Sequence, residues 1–340
     1  MNSTIVDIAR KANVSIATVS RVMNGTGQVS EKTRKKVQKV IDENHYVPNS
    51  VARSLVMKST RIFGVIVADI LNPFYAEIIR SIQDEVDKAG YSIITCNSDE
   101  DMEKEKQCIQ MLMEKHVDAI ILAGGRGKGE FFNAHVHAAA RQVPVVLVNE
   151  HLDGENIYSI VCNKKKGAFL GVNYLLELGH EKIAMITGYE DYKPSIEKLN
   201  GYKKALKEAG IPFRKEYVTY GDYHPDGGSK NVRELMELPN QPTAILAAND
   251  LMAMGAVRTL CDMGYRVPED VSVVGFDDIT MNQYFMPALT SIRQEMRLQG
   301  QMAVELLNQL FREETGIRKK QVVEPTLVIR NTCAAPKKES

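Results

Sequence analysis

The chain has 340 residues, 44% hydrophobic and 25% charged, with 43 Lys or Arg offset by 43 Asp or Glu. No apolar run approaches the roughly 20 residues of a membrane-spanning helix, and the length exceeds what one core usually holds, so neither an integral membrane protein nor a single small domain is expected. The zero net charge hides an asymmetry: residues 1–60 hold ten Lys or Arg and four Asp or Glu, a net of +6, and the rest carries −6.

The first residues read as a compact helical unit. Thr4 and Asp7 form a capping-box pattern, starting a helix whose apolar face is Ile5, Ile8, Ala9 and Ala12. Asn13-Val14 breaks it, and Ser15 caps a second helix with Val19 and Val22 inward and Ile16, Ala17, Ser20 and Arg21 outward. Asn24-Gly25 turns the chain into a third helix, started by Ser30 and Glu31, whose Val37, Val40 and Ile41 complete a small core. Two amphipathic helices joined by a short turn form a helix-turn-helix, the second lying in the major groove, and clustered cations supply affinity for phosphates.

Beyond residue 60, strand-like apolar runs alternate with helical segments. Strands are predicted at 62–67, 92–95, 119–122 and 145–148, with helices at 74–89, 103–115 and up to Arg141 between them. The rhythm repeats with strands at 183–186, near 220, 244–247 and 271–274, and helices near 165–178, 196–209, 225–236 and 251–263. A strand from Ser291, a helix from Arg297 to Arg312 and a last strand around 322–329 return the tail towards the first half. Alternation of this kind gives parallel sheets with helical crossovers. The fold class is thus an all-α helix-turn-helix head plus two doubly wound α/β lobes.

The segments Thr4-Ile5-Val6-Asp7-Ile8-Ala9, Val14 to Asn24 and Tyr46 to Leu55 resemble the LacI/GalR family of bacterial transcriptional regulators. Asn72-Pro73-Phe74-Tyr75, Ala248 to Ala253 and Val274-Gly275-Phe276-Asp277 extend the likeness through the body. The resemblance implies a DNA-binding domain at 1–48, a hinge helix and linker at 49–60, and an effector-binding and dimerisation domain of periplasmic-binding-protein type at 61–340. Its first lobe would span about 61–161 and 292–324, its second about 162–291 and 325–330. DNA contacts are implied at Thr4, Ser15, Ile16, Ala17, Thr18, Ser20, Arg21 and Asn24, and in the hinge at Asn49, Ala52, Arg53 and Leu55. Leu55 is the expected apolar wedge, which kinks a duplex by unstacking a base step.

Ligands in open α/β sheets bind beyond the carboxyl ends of strands. The residues there are Asp69, Phe74, Tyr75, Asn97, Glu150, Tyr223, Asn249, Asp250 and Asp277, a mixture of rings, amides and carboxylates suited to a sugar. The resemblance puts Phe74, Tyr75, Tyr223 and Asp277 at effector-contacting positions and adds Gln294. Two departures stand out. Lys198 occupies the place of an arginine, losing a bidentate fork, and Cys162 stands where a carboxylate is usual. Both raise the local charge, so a sugar acid or sugar phosphate competes with a neutral sugar.

Nucleophile-elbow, phosphate-loop and metal-ligand spacings are missing, and Gly124 to Gly129 lacks the order of a phosphate loop; neither catalysis, a cofactor nor a metal is expected. His135 and His137 have no third ligand nearby and read as solvent-facing helix residues. Five cysteines without C-x-x-C pairing fit free thiols in a reducing cytoplasm, as does an opening segment that reads as a capped helix in place of a secretion signal. The expected function is a cytoplasmic homodimeric repressor of a carbohydrate operon, on a palindromic operator, gated by a small sugar or sugar derivative. The alternative is a catabolite regulator answering to a phosphorylated carrier protein, although residues 295–304 depart from that branch's docking-helix pattern. A secreted sugar-binding transport component does not suit a DNA-binding head. The tail lacks a heptad run, so no coiled-coil tetramer is predicted.

Overall fold

The structure is a computed structural model that describes residues 4–24, 27–46, 59–124 and 133–337. It divides into two units, Met1–Thr60 and Arg61–Ser340.

In the first unit, α1 (Ile5–Lys11), α2 (Ile16–Asn24) and α3 (Glu31–Glu43) all start at side-chain caps. The Thr4 hydroxyl accepts from the Asp7 amide while the Asp7 carboxylate accepts from the Thr4 amide. Ser15 accepts from the Thr18 amide at 3.1 Å and Ser30 from the Thr33 amide at 3.3 Å. These bonds satisfy amides that a first helical turn leaves without partners. Ile8, Ala12, Val19 and Val37 are fully buried, and Val40, Ile41 and Tyr46 close the edge of this small core. The expected hinge positions Asn49, Ala52, Arg53 and Leu55 lie outside the described residues.

The second unit holds two six-stranded sheets. The first contains β1 (Ile62–Val67), β2 (Ser92–Asn97), β3 (Ala119–Ala123), β4 (Val145–Val148), β5 (Ile157–Cys162) and β11 (Lys320–Val323), in the order β11-β5-β4-β3-β1-β2. All its pairings are parallel, Val65 lying opposite Thr95 on one side and Ile121 on the other. The second contains β6 (Ile183–Thr187), β7 (Val218–Tyr220), β8 (Ala244–Ala247), β9 (Ser272–Asp277), β10 (Thr290–Arg293) and β12 (Thr326–Val328). Its order is β12-β10-β9-β8-β6-β7, and only β12 runs antiparallel to its neighbour.

Helices cover both faces, which is why the strands are apolar runs with no alternation. Around the first sheet, α4 (Pro73–Lys88) and α11 (Met296–Phe311) cover the face of Phe63, Val65 and Val67, while α5 (Met102–Glu114) and α6 (Ala134–Ala140) cover that of Ile66, Ile120 and Leu122. The Ser81 hydroxyl of α4 donates to the Arg297 carbonyl at 2.5 Å, anchoring α11 to this lobe. The second sheet is covered by α7 (Lys164–Glu177), α8 (Lys193–Glu208), α9 (Pro225–Met236) and α10 (Asp250–Asp262).

Three features differ from the sequence expectation. The segment Ile157–Cys162 is a strand that the alternating rhythm did not reveal, because only a loop joins it to β4. The expected last strand at 322–329 is two strands, β11 in the first sheet and β12 in the second, parted at Glu324-Pro325. The strand from Thr290 to Arg293 also belongs to the second sheet. The chain therefore crosses between lobes three times: after β5, after β10 and between β11 and β12.

The pair α9 and α10 depends on two glycines. A methyl group at Gly228 would stand 2.0 Å from the Met252 carbonyl oxygen, and one at Gly255 would stand 2.0 Å from that of Pro225. Gly228→Ala is therefore expected to cost about 1–3 kcal/mol, the range for overpacking a rigid contact. The check is the urea midpoint of the full chain, which an unstrained crossing would leave unchanged.

Candidate DNA-reading face and effector cleft

The second helix of the head presents the surface expected of a groove reader. Ile16 is 48% exposed, Ala17 and Arg21 are exposed, and Thr18 and Ser20 are half-buried. Ser15 and Thr18 share a hydroxyl contact of 2.9 Å. Apolar Ile16 and Ala17 can meet thymine methyl groups, and Arg21 can donate to base edges or phosphate. The Thr4 hydroxyl is engaged with Asp7 at 2.7 Å, which makes it first of all a cap. Asn24 ends α2. Helix α3 exposes Lys32, Lys35, Lys36 and Lys39.

Between the two lobes lies a cleft whose space between atoms, open solvent at its mouth included, is about 470 Å³. Seven of the expected effector residues line it: Phe74, Tyr75, Lys198, Tyr223, Asn249, Asp277 and Gln294. Phe74 and Tyr75 sit in the first turn of α4, started by the Asn72 side chain accepting from the Phe74 amide at 3.0 Å, and their rings meet edge to face. Tyr223 faces them from the second lobe beside Tyr192, its hydroxyl 2.8 Å from that of Ser195. Asn249 lines the wall with its polar atoms already engaged, donating to the Tyr223 carbonyl at 2.7 Å and capping α10 through the Met252 amide.

The inner end is charged. Gln294 donates to Asp277 at 2.5 Å, and the Lys198 ammonium donates to the Ala248 carbonyl at 2.6 Å while resting 4.2 Å from the centre of the Phe276 ring. Burial pushes Lys198 down to about 8, with Asp277 opposing the shift. Burial likewise raises the Asp277 carboxyl, opposed by Lys198. Tyr223 and Asp277 have φ of 65° and 125°, in the left-handed region that side chains other than glycine rarely adopt. Backbone strain of this kind persists where surrounding structure imposes it, and it concentrates at ligand sites.

Four expected contacts are placed elsewhere. Asp69 accepts from the Leu71 amide at 2.9 Å and Asn97 from the Ile70 amide at 2.7 Å, so both shape the loop before α4. Glu150 is buried and pairs across the lobes with Lys193 at 3.1 Å. Asp250 is fully buried and accepts from Ser291 at 2.6 Å, Asn282 at 2.8 Å and the Ile279 amide at 2.9 Å, tying together segments behind the cleft wall. The strand-end rule located the loops without telling which side chains turn inward. It passed over Asn72, Glu100, Asn149, Lys164, Tyr192 and Pro194, all of which line the cleft. Asn149 carried a usable signal, since it directly follows β4. The others lie at helix starts or one loop further along.

Residues 4–49 match the family described as bacterial regulatory proteins, lacI family, and residues 172–333 match the periplasmic binding protein-like domain. Catabolite control protein A of Priestia megaterium is 40% identical over 317 residues, 93% of this chain and 94% of that protein. The HTH-type transcriptional repressor PurR of Aliivibrio salmonicida (strain LFI1238) is 34% identical over 330 residues, 97% and 98% of the two chains. The lac repressor dimer bound to operator and the anti-inducer ONPF superposes with a TM-score of 0.87 at 31% identity, covering 98% of this chain and all of that one. These relatives are regulators of transcription. Among the described residues there is no cluster of His, Cys, Asp or Glu able to hold a metal, and no helix is long and apolar enough to cross a membrane.

Burial pushes Asp250 up to about 7 against its three hydrogen-bond donors, so between about pH 4 and 7 the folded chain holds a proton that the unfolded chain releases. This contribution to stability is present at low pH and is lost as pH rises through that window. Asp250→Asn lacks it, so the gap in urea midpoint between wild type and variant should narrow from pH 4 to pH 7. A gap that widens would mean a carboxylate ionised throughout. With its head, its two lobes and these relatives spanning nearly its whole length, the chain belongs to the LacI family of DNA-binding transcriptional repressors with a ligand-binding effector domain.

Proposed function

We propose that the protein represses a carbohydrate-utilisation operon in the cytoplasm, binding a palindromic operator as a homodimer whose grip is set by a small sugar or sugar derivative between the lobes. The cleft carries this reading: aromatic walls from Phe74, Tyr75, Tyr192 and Tyr223 enclose amide and carboxylate groups of Asn149, Asp277 and Gln294. Ring faces take the CH surfaces of a sugar, and the polar groups take its hydroxyls. Contacts reach the cleft from both lobes, so a ligand with different affinity for the open and closed forms shifts their populations.

Exposed apolar side chains support pairing of two copies. Leu71, Met281, Tyr284 and Met286 are 85%, 55%, 73% and 87% exposed. They belong to the turn before α4 and the segment after β9, and Thr280 of the latter donates to Glu77 of α4. A two-fold dimer matches operator symmetry, and residues 49–57 are proposed as the hinge helix that orders on DNA. The 40% identity to catabolite control protein A supports a second reading, catabolite control through a phosphorylated carrier protein.

The test is a thermal-shift screen of sugars, sugar derivatives and nucleobases, followed by operator anisotropy with each hit. A carbohydrate hit should change operator affinity, and Asp277→Ala should abolish that response with operator affinity intact; an unchanged response would place the pocket elsewhere. Operator affinity that responds only to a phosphorylated carrier protein would favour the second reading. For the hinge, Leu55→Ala should weaken operator binding much more than binding to random DNA, and equal losses would remove the wedge.

A further inference from the structure

The inner end of the cleft holds a second ammonium group in an unfavourable place. Lys164 is the first residue of α7, and the opening turn Lys164-Lys165-Lys166 contains no acidic side chain. Partial positive charge at a helix N-terminus disfavours a cation there, and removal from water adds to the cost. Yet the Lys164 side chain is only 2% exposed. Its Nζ donates to the Asn149 carbonyl at 2.5 Å, while its ion-pair contact, Glu197, stands 4.0 Å away and is itself 38% exposed. Lys198, by contrast, has Asp277 to offset its charge.

Two acceptors share this end. Gln294 Oε1 and Asn149 Oδ1 are buried and take no hydrogen bond from the described residues. Buried acceptors without donors are costly, so hydroxyl donors belong beside them. At the outer end, Glu100 faces Tyr189 and His224, with Asp69 and Asp222 near it, a setting for hydroxyl donors and hostile to a second anion.

We propose that the cleft selects a polyhydroxylated monocarboxylate, a sugar acid of the uronate or aldonate class, with its carboxylate on Lys164 Nζ and its hydroxyls on Gln294, Asn149 and Asp277. One buried cation with a single distant, half-exposed counter-charge matches one negative charge. A phosphate dianion would require a second, and among the described residues no arginine fork lines the cavity. This inference rests on the cleft being the effector site, and it departs from a neutral sugar through the placement of Lys164.

Isothermal titration of the full-length protein with D-glucuronate, D-galacturonate and D-gluconate, against D-glucose, D-galactose and glucose 6-phosphate, tests it. At least one acid should bind about tenfold or more tightly than its neutral counterpart, the scale of a charge-assisted hydrogen bond. Lys164→Gln should cut acid affinity by a similar factor and change neutral-sugar affinity by less than about threefold, with Lys164→Arg restoring most of the loss. Circular dichroism of both variants shows that they fold. Preference for a neutral sugar or the phosphate ester, or acid binding indifferent to Lys164→Gln, overturns the sugar-acid assignment and leaves the cleft as the site. No binding across the panel likewise overturns the sugar-acid assignment, and binding that Asp277→Ala leaves untouched overturns the cleft reading as well.

Discussion

The organisation of the body depends on three passages of the chain between two parallel sheets, after β5, after β10 and between β11 and β12. A single covalent link would let the lobes drift apart, whereas three adjacent links permit a change of angle and resist separation. Polar groups where the lobes meet find partners across the boundary. Glu150 of the first lobe takes Lys193 of the second, and Glu77 takes Thr280. Such contacts can exchange with water as the angle changes, which is what a bistable element requires.

Strain and buried charge meet at this junction. Positive φ at Asn149, Tyr223 and Asp277 bends strand ends into the cleft. Lys164 and Lys198 are both nearly inaccessible, and the Lys198 ammonium rests against the Phe276 ring. None of these choices improves packing, and each departs from local rules that the rest of the chain obeys. Asp250, equally buried, serves a different purpose: its carboxylate gathers three donors and holds the loop after β9 in place behind the wall.

Local chemistry made the head readable from sequence, because Thr4, Ser15 and Ser30 mark the helix starts and the apolar spacing of Ile8, Ala12, Val19 and Val37 marks the core. The body was legible wherever a strand and a helix alternate. It failed at Ile157–Cys162, which follows β4 through a loop with no helix, and at Val322–Ile329, where an apolar stretch serves two sheets. Side-chain direction is the part that strand-end position does not carry. Asp69 and Asn97 bond to nearby backbone and form the loop, while Asn149, one residue before Glu150, enters the cleft. Lys164 and Tyr192 begin helices instead of ending strands, so strand-end position does not mark them.

Coupling between the cleft and the DNA-binding head is the central claim, and linkage makes it measurable in both directions. The affinity of a carbohydrate ligand should be determined calorimetrically with and without saturating operator, beside the affinity of operator with and without saturating ligand. The account predicts two equal ratios, both different from one. A ligand that binds the cleft with the same affinity whether or not the operator is present would contradict it.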